Sequence, residues 1–244
     1  MFIALINLDR EPERLAEFVR MNGHLEMVTR YCAVDGKSLD TQALTARGLI
    51  DPAIFPTYTK GALGNACSHL ALWEMAVKDA RAVTVCEDDA ILSRHFAACA
   101  DGLIDLLPAD WDIVLWGWNF DSWLYLDMLP GVSPALVAFD QDAMRAGIDN
   151  FRDHVPTPRL FRLLRAFGSP CYSVSPKGAA ILRRHCLPLR PMQVHFPGLD
   201  RTLANKGIDI MMIDLYPGMN AFVSFPPLAI TKNRHDISTS LNDL

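Results

Sequence analysis

VTVCEDDAIL, residues Val83–Leu92, carries an apolar, β-branched run straight into three adjacent acids, Glu87, Asp88 and Asp89. The first half reads as a buried strand. Three carboxylates side by side repel one another unless water or a cation lies between them. In open α/β sheets ligands gather beyond the carboxyl ends of the strands, and the triplet falls at such an end. Hard divalent cations are often held by one or two carboxylates together with substrate phosphates, and an acidic-x-acidic strand end supplies such a pair. The competing reading is structural: acids stabilise the positive end of a helix, and a helix is expected to begin near Ser93.

Outward from the triplet, strand-like and helix-like segments alternate, the pattern of an α/β protein. Phe2–Leu8 is a short apolar run that ends in polar NLDR. EPERLAEFVRMNG follows as a helix, with a proline suited to its first turn, Leu15, Phe18 and Val19 on one face, and Gly23 as its stop. LEMVTRYCAVDG reads as a second strand closing in a turn. Lys60–Ala80 opens on glycines and repeats Ala66, Leu70, Trp73 and Val77 at helical spacing. A helix at Ser93–Leu107 joins the Val83 strand to a second apolar strand, WDIVLWGWN at Trp111–Asn119. Two strands apolar throughout predict a covered, mostly parallel central sheet with right-handed crossovers. Beyond Phe167, SPCYSVSPKGAAILRRH reads as strand, turn and helix, and IDIMMIDLYP as a late strand.

Phe120–Phe167 has prolines at 130, 134, 156 and 158 and no clear strand. A peripheral, partly helical insertion at about 120–167 is therefore expected within a single domain spanning 1–244. Inside it, RLFRLLRAF (Arg159–Phe167) is expected to form an amphipathic helix, either meeting an anionic membrane or snorkelling its arginines over an ordinary surface.

Composition narrows the function. With 244 residues and 50% apolar content the chain is long enough to bury a full core, and its net charge of −5 argues against a general nucleic-acid binder. The six cysteines are scattered without a CxxC pair, so neither a zinc knuckle nor a dithiol redox site is signalled and free thiols are expected. The apolar opening is too short for a signal segment or a spanning helix, which makes the cytoplasm the default location.

INLDREPER (Ile6–Arg14), AVDG (Ala33–Gly36), GALGNACSHLALW (Gly61–Trp73), CEDDA (Cys86–Ala90), GSPCYSVSPKGAAIL (Gly168–Leu182) and PGLDRTL (Pro197–Leu203) occur in this order. Together they resemble glycosyltransferase family 25, which includes bacterial lipopolysaccharide and lipooligosaccharide galactosyltransferases and related collagen-modifying enzymes. The resemblance leaves Phe120–Phe167 unmatched. It implies a GT-A type nucleotide-sugar-binding fold, a donor such as UDP-galactose or UDP-glucose, and a Mn²⁺ or Mg²⁺ ion at the acids. Asn65 departs from the pattern, standing where members often carry cysteine.

Within that resemblance the residues take expected roles. Asp89 is the first metal ligand and Glu87 its partner; Asp88 holds a ribose or sugar hydroxyl. Asn7 and Asp9 contact base or ribose, and Arg10 or Arg14 pairs with the diphosphate; Asn7 and Asp9 also suit a helix cap, and Arg14 a plain surface charge. Ser68 and His69 lie at the glycine-opened helix start, where free amides suit a donor phosphate, although a lone histidine there is more often structural. Asp200 is assigned as the base that takes the acceptor's proton in an inverting transfer, with Asp112 and Asp121 as rivals and a cap on a helix Arg201–Lys206 as its structural alternative. His235 is a third metal-ligand candidate. Of Trp116 and Trp118, one is expected to line an acceptor cleft and the other to enter the core.

The sequence thus reads as a cytoplasmic glycosyltransferase, either free or peripheral on the cytoplasmic face of the inner membrane, that moves a hexose, galactose first, from a UDP-sugar to a glycan or lipid-linked glycan. Two alternatives stand beside it: a noncatalytic sugar-nucleotide or glycan binder on the same scaffold, and a metal-dependent phosphohydrolase or nucleotidyltransferase. No GxxxxGK[ST] loop supports P-loop hydrolysis.

Overall fold

The computed structural model describes residues 1–232. The chain opens with β1 (Ile3–Asn7), α1 (Pro12–Asn22) and β2 (Val28–Cys32), followed by a short helix α2 (Thr41–Ala46) and the long α3 (Lys60–Lys78). β3 (Val83–Glu87), β4 (Ala90–Leu92), α4 (Phe96–Ile104) and β5 (Ile113–Leu115) come next, then β6 (Leu124–Leu129), β7 (Ser133–Val137), α5 (Gln141–Ala146), α6 (Ile148–Asp153) and β8 (Arg159–Ala166). The remainder is β9 (Cys171–Val174), α7 (Pro176–Cys186), the hairpin strands β10 (Gln193–Phe196) and β11 (Arg201–Ala204), α8 (Ile208–Leu215), β12 (Ala221–Phe225) and β13 (Ala229–Thr231).

Nine strands form one sheet in the order β2-β1-β3-β9-β5-β12-β8-β6-β7. Helices cover both faces, and the alternation of side chains feeds two cores: β1 sends Ala4 and Ile6 to one and Ile3 and Leu5 to the other, as β5 does with Ile113 and Leu115 against Val114. This α/β architecture of a central sheet flanked by helices agrees with the GT-A expectation. The pairing is mixed rather than mostly parallel. β1–β2, β1–β3 and β5–β12 are parallel, whereas β3–β9, β5–β9, β8–β12, β6–β8 and β6–β7 are antiparallel. Apolar runs report burial on both faces, a property β9 shares as an antiparallel strand wedged between β3 and β5, so the pattern carries no information on strand direction.

Four further expectations are corrected. RLFRLLRAF is strand β8, paired with β12 and β6, and the segment before it contributes β6 and β7. The register with β6 skips Leu164: Leu163 faces Leu126 and Arg165 faces Tyr125. That bulge returns Arg162 and Arg165, three residues apart, to one face, and Leu163 and Ala166, both buried, to the other; a bulged strand thereby imitates helical spacing. IDIMMIDLYP is helical, not extended; Ile208 and Ile210–Ile213 are all buried, and an apolar run without a period cannot separate helix from strand. Arg201–Ala204 is strand β11, so Asp200 caps no helix there. Trp116 and Trp118 are both 0% exposed, which removes either from an acceptor cleft.

Helix ends follow the local chemistry. Thr59 caps α3 by accepting from the Ala62 amide, and Ser175 caps α7 at the Gly178 amide ahead of Pro176. Gly36 and Gly64 let the loop after β2 lie against α3; a Cβ on Gly64 would sit 2.4 Å from the Val34 carbonyl oxygen. All six cysteines are free. Among the described residues no helix is long and apolar enough to cross a membrane.

Candidate active site

β1 and β3 are parallel neighbours with Ile6 opposite Glu87, so Asn7 and Asp88 leave the sheet side by side. A cleft of about 410 Å³ opens there, walled by α1, the loop 33–36 and the start of α3, with Glu87, Asp88 and Asp89 on its surface. Glu87 ends β3, and Asp88 and Asp89 form the link to β4. α4 begins only at Phe96, with His95 as its cap, so the helix-start reading of the triplet does not apply.

Each acid has a different environment. Asp88 is the most tightly held. Its Oδ2 accepts from Asn7 Nδ2 at 2.8 Å, and its Oδ1 accepts from Arg14 Nε at 2.8 Å and also from Arg14 Nη2. Burial opposes the charge on Arg14, but the bond to Asp88 and the nearby Asp89 and Glu87 outweigh it and raise its pKa. Asp89 is the least satisfied: its Oδ1 is buried and has no hydrogen-bond partner among the described residues. Burial first, then the charge of Glu87, push its carboxyl up to about 6 against the pull of Arg14 and a hydrogen bond with Thr231. Glu87 accepts at Oε1 from His69 Nε2, 3.2 Å away.

The other expected residues divide. Asn7 is buried and spans the site, donating also to the Glu11 carbonyl and accepting from Arg30 Nε at 2.9 Å. Ser68 lines the cleft, but its hydroxyl donates to the Gly64 carbonyl and accepts from the Val34 amide, so it serves as a strut. Arg10 lines the cleft while bonded to Asp35 and Glu11. Asp9 is turned aside onto Arg30 and Cys32, whose hydrogen bonds lower its pKa. His69 is fully buried beneath Glu87 and does not line the cleft, which corrects its expected contact with donor.

Asp200 occupies a left-handed turn (φ 49°) leading into β11 and does not line the cleft. Asp112 precedes the central strand β5, at the end of the sheet opposite the acids, bound to Lys177 and to the Asn220 amide, and Asp121 lies in an exposed turn. His235 lies outside the described residues.

Several neighbours escaped the sequence reading. Lys232 lines the cleft because β13 pairs with β4 directly after the acids, placing Thr231 opposite Ala90. Asp209, in the first turn of α8, accepts from the Gly168 amide at 3.0 Å. Burial raises its pKa, and Glu87 adds to the shift. The Gly168–Asp209 bond joins residues 41 apart and the Thr231–Ala90 pairing residues 141 apart, and no local motif announces either.

Among the described residues no three His, Cys, Asp or Glu side chains converge on one metal position. Two carboxylates, one with an orphaned buried oxygen, still fit a hard cation that completes its shell with phosphate oxygens and water.

A family model described as glycosyltransferase family 25 (LPS biosynthesis protein) matches residues 1–186. The chain is similar to the rat protein named probable inactive glycosyltransferase 25 family member 3, 28% identical over 176 residues, 66% of this chain and 31% of that protein. It is also similar to the human inactive glycosyltransferase 25 family member 3, 30% identical over 126 residues, 47% of this chain and 21% of that protein. Mouse procollagen galactosyltransferase 2 is 29% identical over 126 residues, 47% of this chain and 20% of that protein. The matches thus span less than a third of the length of these relatives. A family model that covers residues 1–186 of 244, on a fold that brings the acid triplet to the mouth of a cleft, places this chain in glycosyltransferase family 25.

Proposed function

We propose that this chain transfers a hexose, galactose first, from a UDP-sugar to a surface glycan acceptor such as lipopolysaccharide, with inversion, using Mn²⁺ or Mg²⁺ at Glu87 and Asp89. One observation carries the reading: Asp89 presents a buried carboxylate oxygen without a hydrogen-bond partner among the described residues, at a strand end beside the cleft. A bound cation would set positive charge against the charge developing on the leaving nucleoside diphosphate. Arg14 and Asn7 fix Asp88, which separates its role from that of its neighbours; Asp88 is a rigid wall of the site and not a free ligand. The apolar side chains of Ile6, Phe18 and Met21 in the same cleft suit the face of a nucleobase. Asp200 serves as base in this reading if the β10–β11 hairpin meets the acceptor, and Asp200→Asn then abolishes transfer while donor affinity persists.

The test is calorimetric binding of UDP-galactose, UDP-glucose, UDP-N-acetylglucosamine and GDP-mannose with and without Mn²⁺, in the wild type and Asp89→Ala. Metal-dependent binding of one UDP-sugar, lost in the variant, supports the proposal; binding of none overturns it. The names of the rat and human relatives favour a second reading, a noncatalytic sugar-nucleotide binder. Donor binding without UDP release in the presence of glycan acceptors would select it.

A further inference from the structure

Behind the acids runs a line of buried polar groups that the transfer reading does not use. Trp73 of α3, His69 one turn earlier and Tyr172 of β9 are each 0% exposed. Trp73 Nε1 lies 2.8 Å from Tyr172 Oη, Tyr172 Oη lies 2.8 Å from His69 Nδ1, and His69 Nε2 lies 3.2 Å from Glu87 Oε1. The His69 and Tyr172 rings stack, with centroids 5.7 Å apart and planes 19° apart.

Resting on the assignment of Glu87 as a metal ligand, we propose that Trp73, Tyr172 and His69 form a one-way hydrogen-bond chain that fixes the His69 tautomer and thereby positions Glu87. Direction follows from the chemistry of each group. An indole N–H only donates, so Tyr172 accepts from Trp73. The single Tyr172 hydroxyl proton then has one acceptor among the described residues, His69 Nδ1, and a fully buried hydroxyl keeps its proton bonded. Nδ1 is therefore the acceptor nitrogen and the ring proton resides on Nε2. The opposite end of the chain fits the same arrangement, because Nε2 faces the carboxylate oxygen Oε1 of Glu87, an acceptor. Both ends select the Nε2–H tautomer.

His69 thus holds Oε1 and leaves Oε2, which has no hydrogen-bond partner among the described residues, to the cleft. Outer partners that fix a ligand's orientation typically contribute 10–100-fold in metal affinity. His69 is a positioning residue: it touches neither cleft nor donor.

The experiment uses the full chain labelled with ¹⁵N-histidine. Long-range ¹H–¹⁵N spectra, with the His69 signals assigned by their loss in His69→Gln, report the tautomer, and electron paramagnetic resonance titration of Mn²⁺ in the presence of UDP reports affinity. The wild type is expected to show Nε2–H. Tyr172→Phe removes the proton donor to Nδ1, leaves the Nε2–H tautomer held by Glu87 alone, and is expected to keep that tautomer while weakening Mn²⁺ binding about 10-fold. His69→Gln, whose amide N–H can replace Nε2–H, is expected to bind Mn²⁺ within a few-fold of wild type, whereas His69→Leu loses about 10-fold. Thr84→Val, which breaks a buried hydrogen bond to Ser173 between the same two strands, is expected to leave both readouts unchanged.

A wild-type Nδ1–H tautomer overturns the chain, as does unaltered Mn²⁺ affinity in Tyr172→Phe. Absence of Mn²⁺ binding in the wild type would overturn the metal reading alone, and the tautomer would still decide the chain. The spectrum of the wild type decides it even if a variant fails to fold.

Discussion

Arg14 of α1 donates from Nε to Asp88 Oδ1 at 2.8 Å, and both side chains are largely withdrawn from water, at 22% and 10% exposure. The pair ties α1 to the end of β3 across the cleft. Removing one member leaves the other charge without compensation, which is costlier than removing both. Arg14→Ala is expected to lower stability by about 2–4 kcal/mol, and Arg14→Ala with Asp88→Asn to lose clearly less than the sum of the two single changes. Urea denaturation of the four proteins checks this; strictly additive losses would show that the pair contributes nothing as a pair.

Asp89→Asn is expected to separate stability from function. Folding raises the Asp89 pKa from an ordinary 3.8 to about 6, chiefly through burial. A carboxyl whose folded pKa is raised contributes stability below the unfolded value and loses it as pH rises through the folded value, here between about 4 and 6. At pH 7.5 the amide variant is therefore expected to be more stable than the wild type by on the order of 1–3 kcal/mol, and this advantage disappears near pH 4. Donor binding in Mn²⁺ is lost at the same time. Scanning calorimetry from pH 4 to 8 checks the sign, and a variant melting below the wild type at pH 7.5 contradicts it.

The two faces of β8 offer a sharper test of the bulge. Leu163 is 0% exposed, while Leu164 is the residue that the register skips. Leu163→Ala is expected to cost about 2–5 kcal/mol, and Leu164→Ala about 1 kcal/mol or less. An amphipathic helix would place both leucines on one apolar face and make the two changes similar.

Legibility in the sequence followed the range of the interactions. The acid triplet, the first strand, α1, α3 and α7 were readable because caps, prolines and periodicity are local signals. Asn7, Arg14 and the triplet were named as site residues, but their partnership was not, since it depends on β1 and β3 being neighbours although 81 positions separate Asn7 from Asp88. Direction failed at β9 and class failed at β8 and α8, where burial on all sides or a bulge erases the period. His69 was visible as a residue and misplaced as a contact, because only the fold sends its ring beneath the acids and not into the cleft.

The glycines give a last prediction with opposite signs. In the last turn of α4, a Cβ on Gly102 meets nothing within 4 Å, so Gly102→Ala restores helix propensity without a clash and is expected to stabilise by about 0.5–1 kcal/mol. Gly64 is also helical, but a Cβ there would lie 2.4 Å from the Val34 carbonyl oxygen and 2.5 Å from the Gly36 amide nitrogen. Both obstacles are backbone, which cannot swing aside as a side chain would. Gly64→Ala is therefore expected to destabilise by about 3 kcal/mol, the upper end of ordinary overpacking. Because Val34 and Gly36 wall the cleft, the displaced loop should weaken donor binding as well. Thermal melts of both variants, with UDP-sugar titrations of Gly64→Ala, test the two effects together: a neutral Gly64→Ala would mean that α3 and the loop do not pack as closely as the geometry requires.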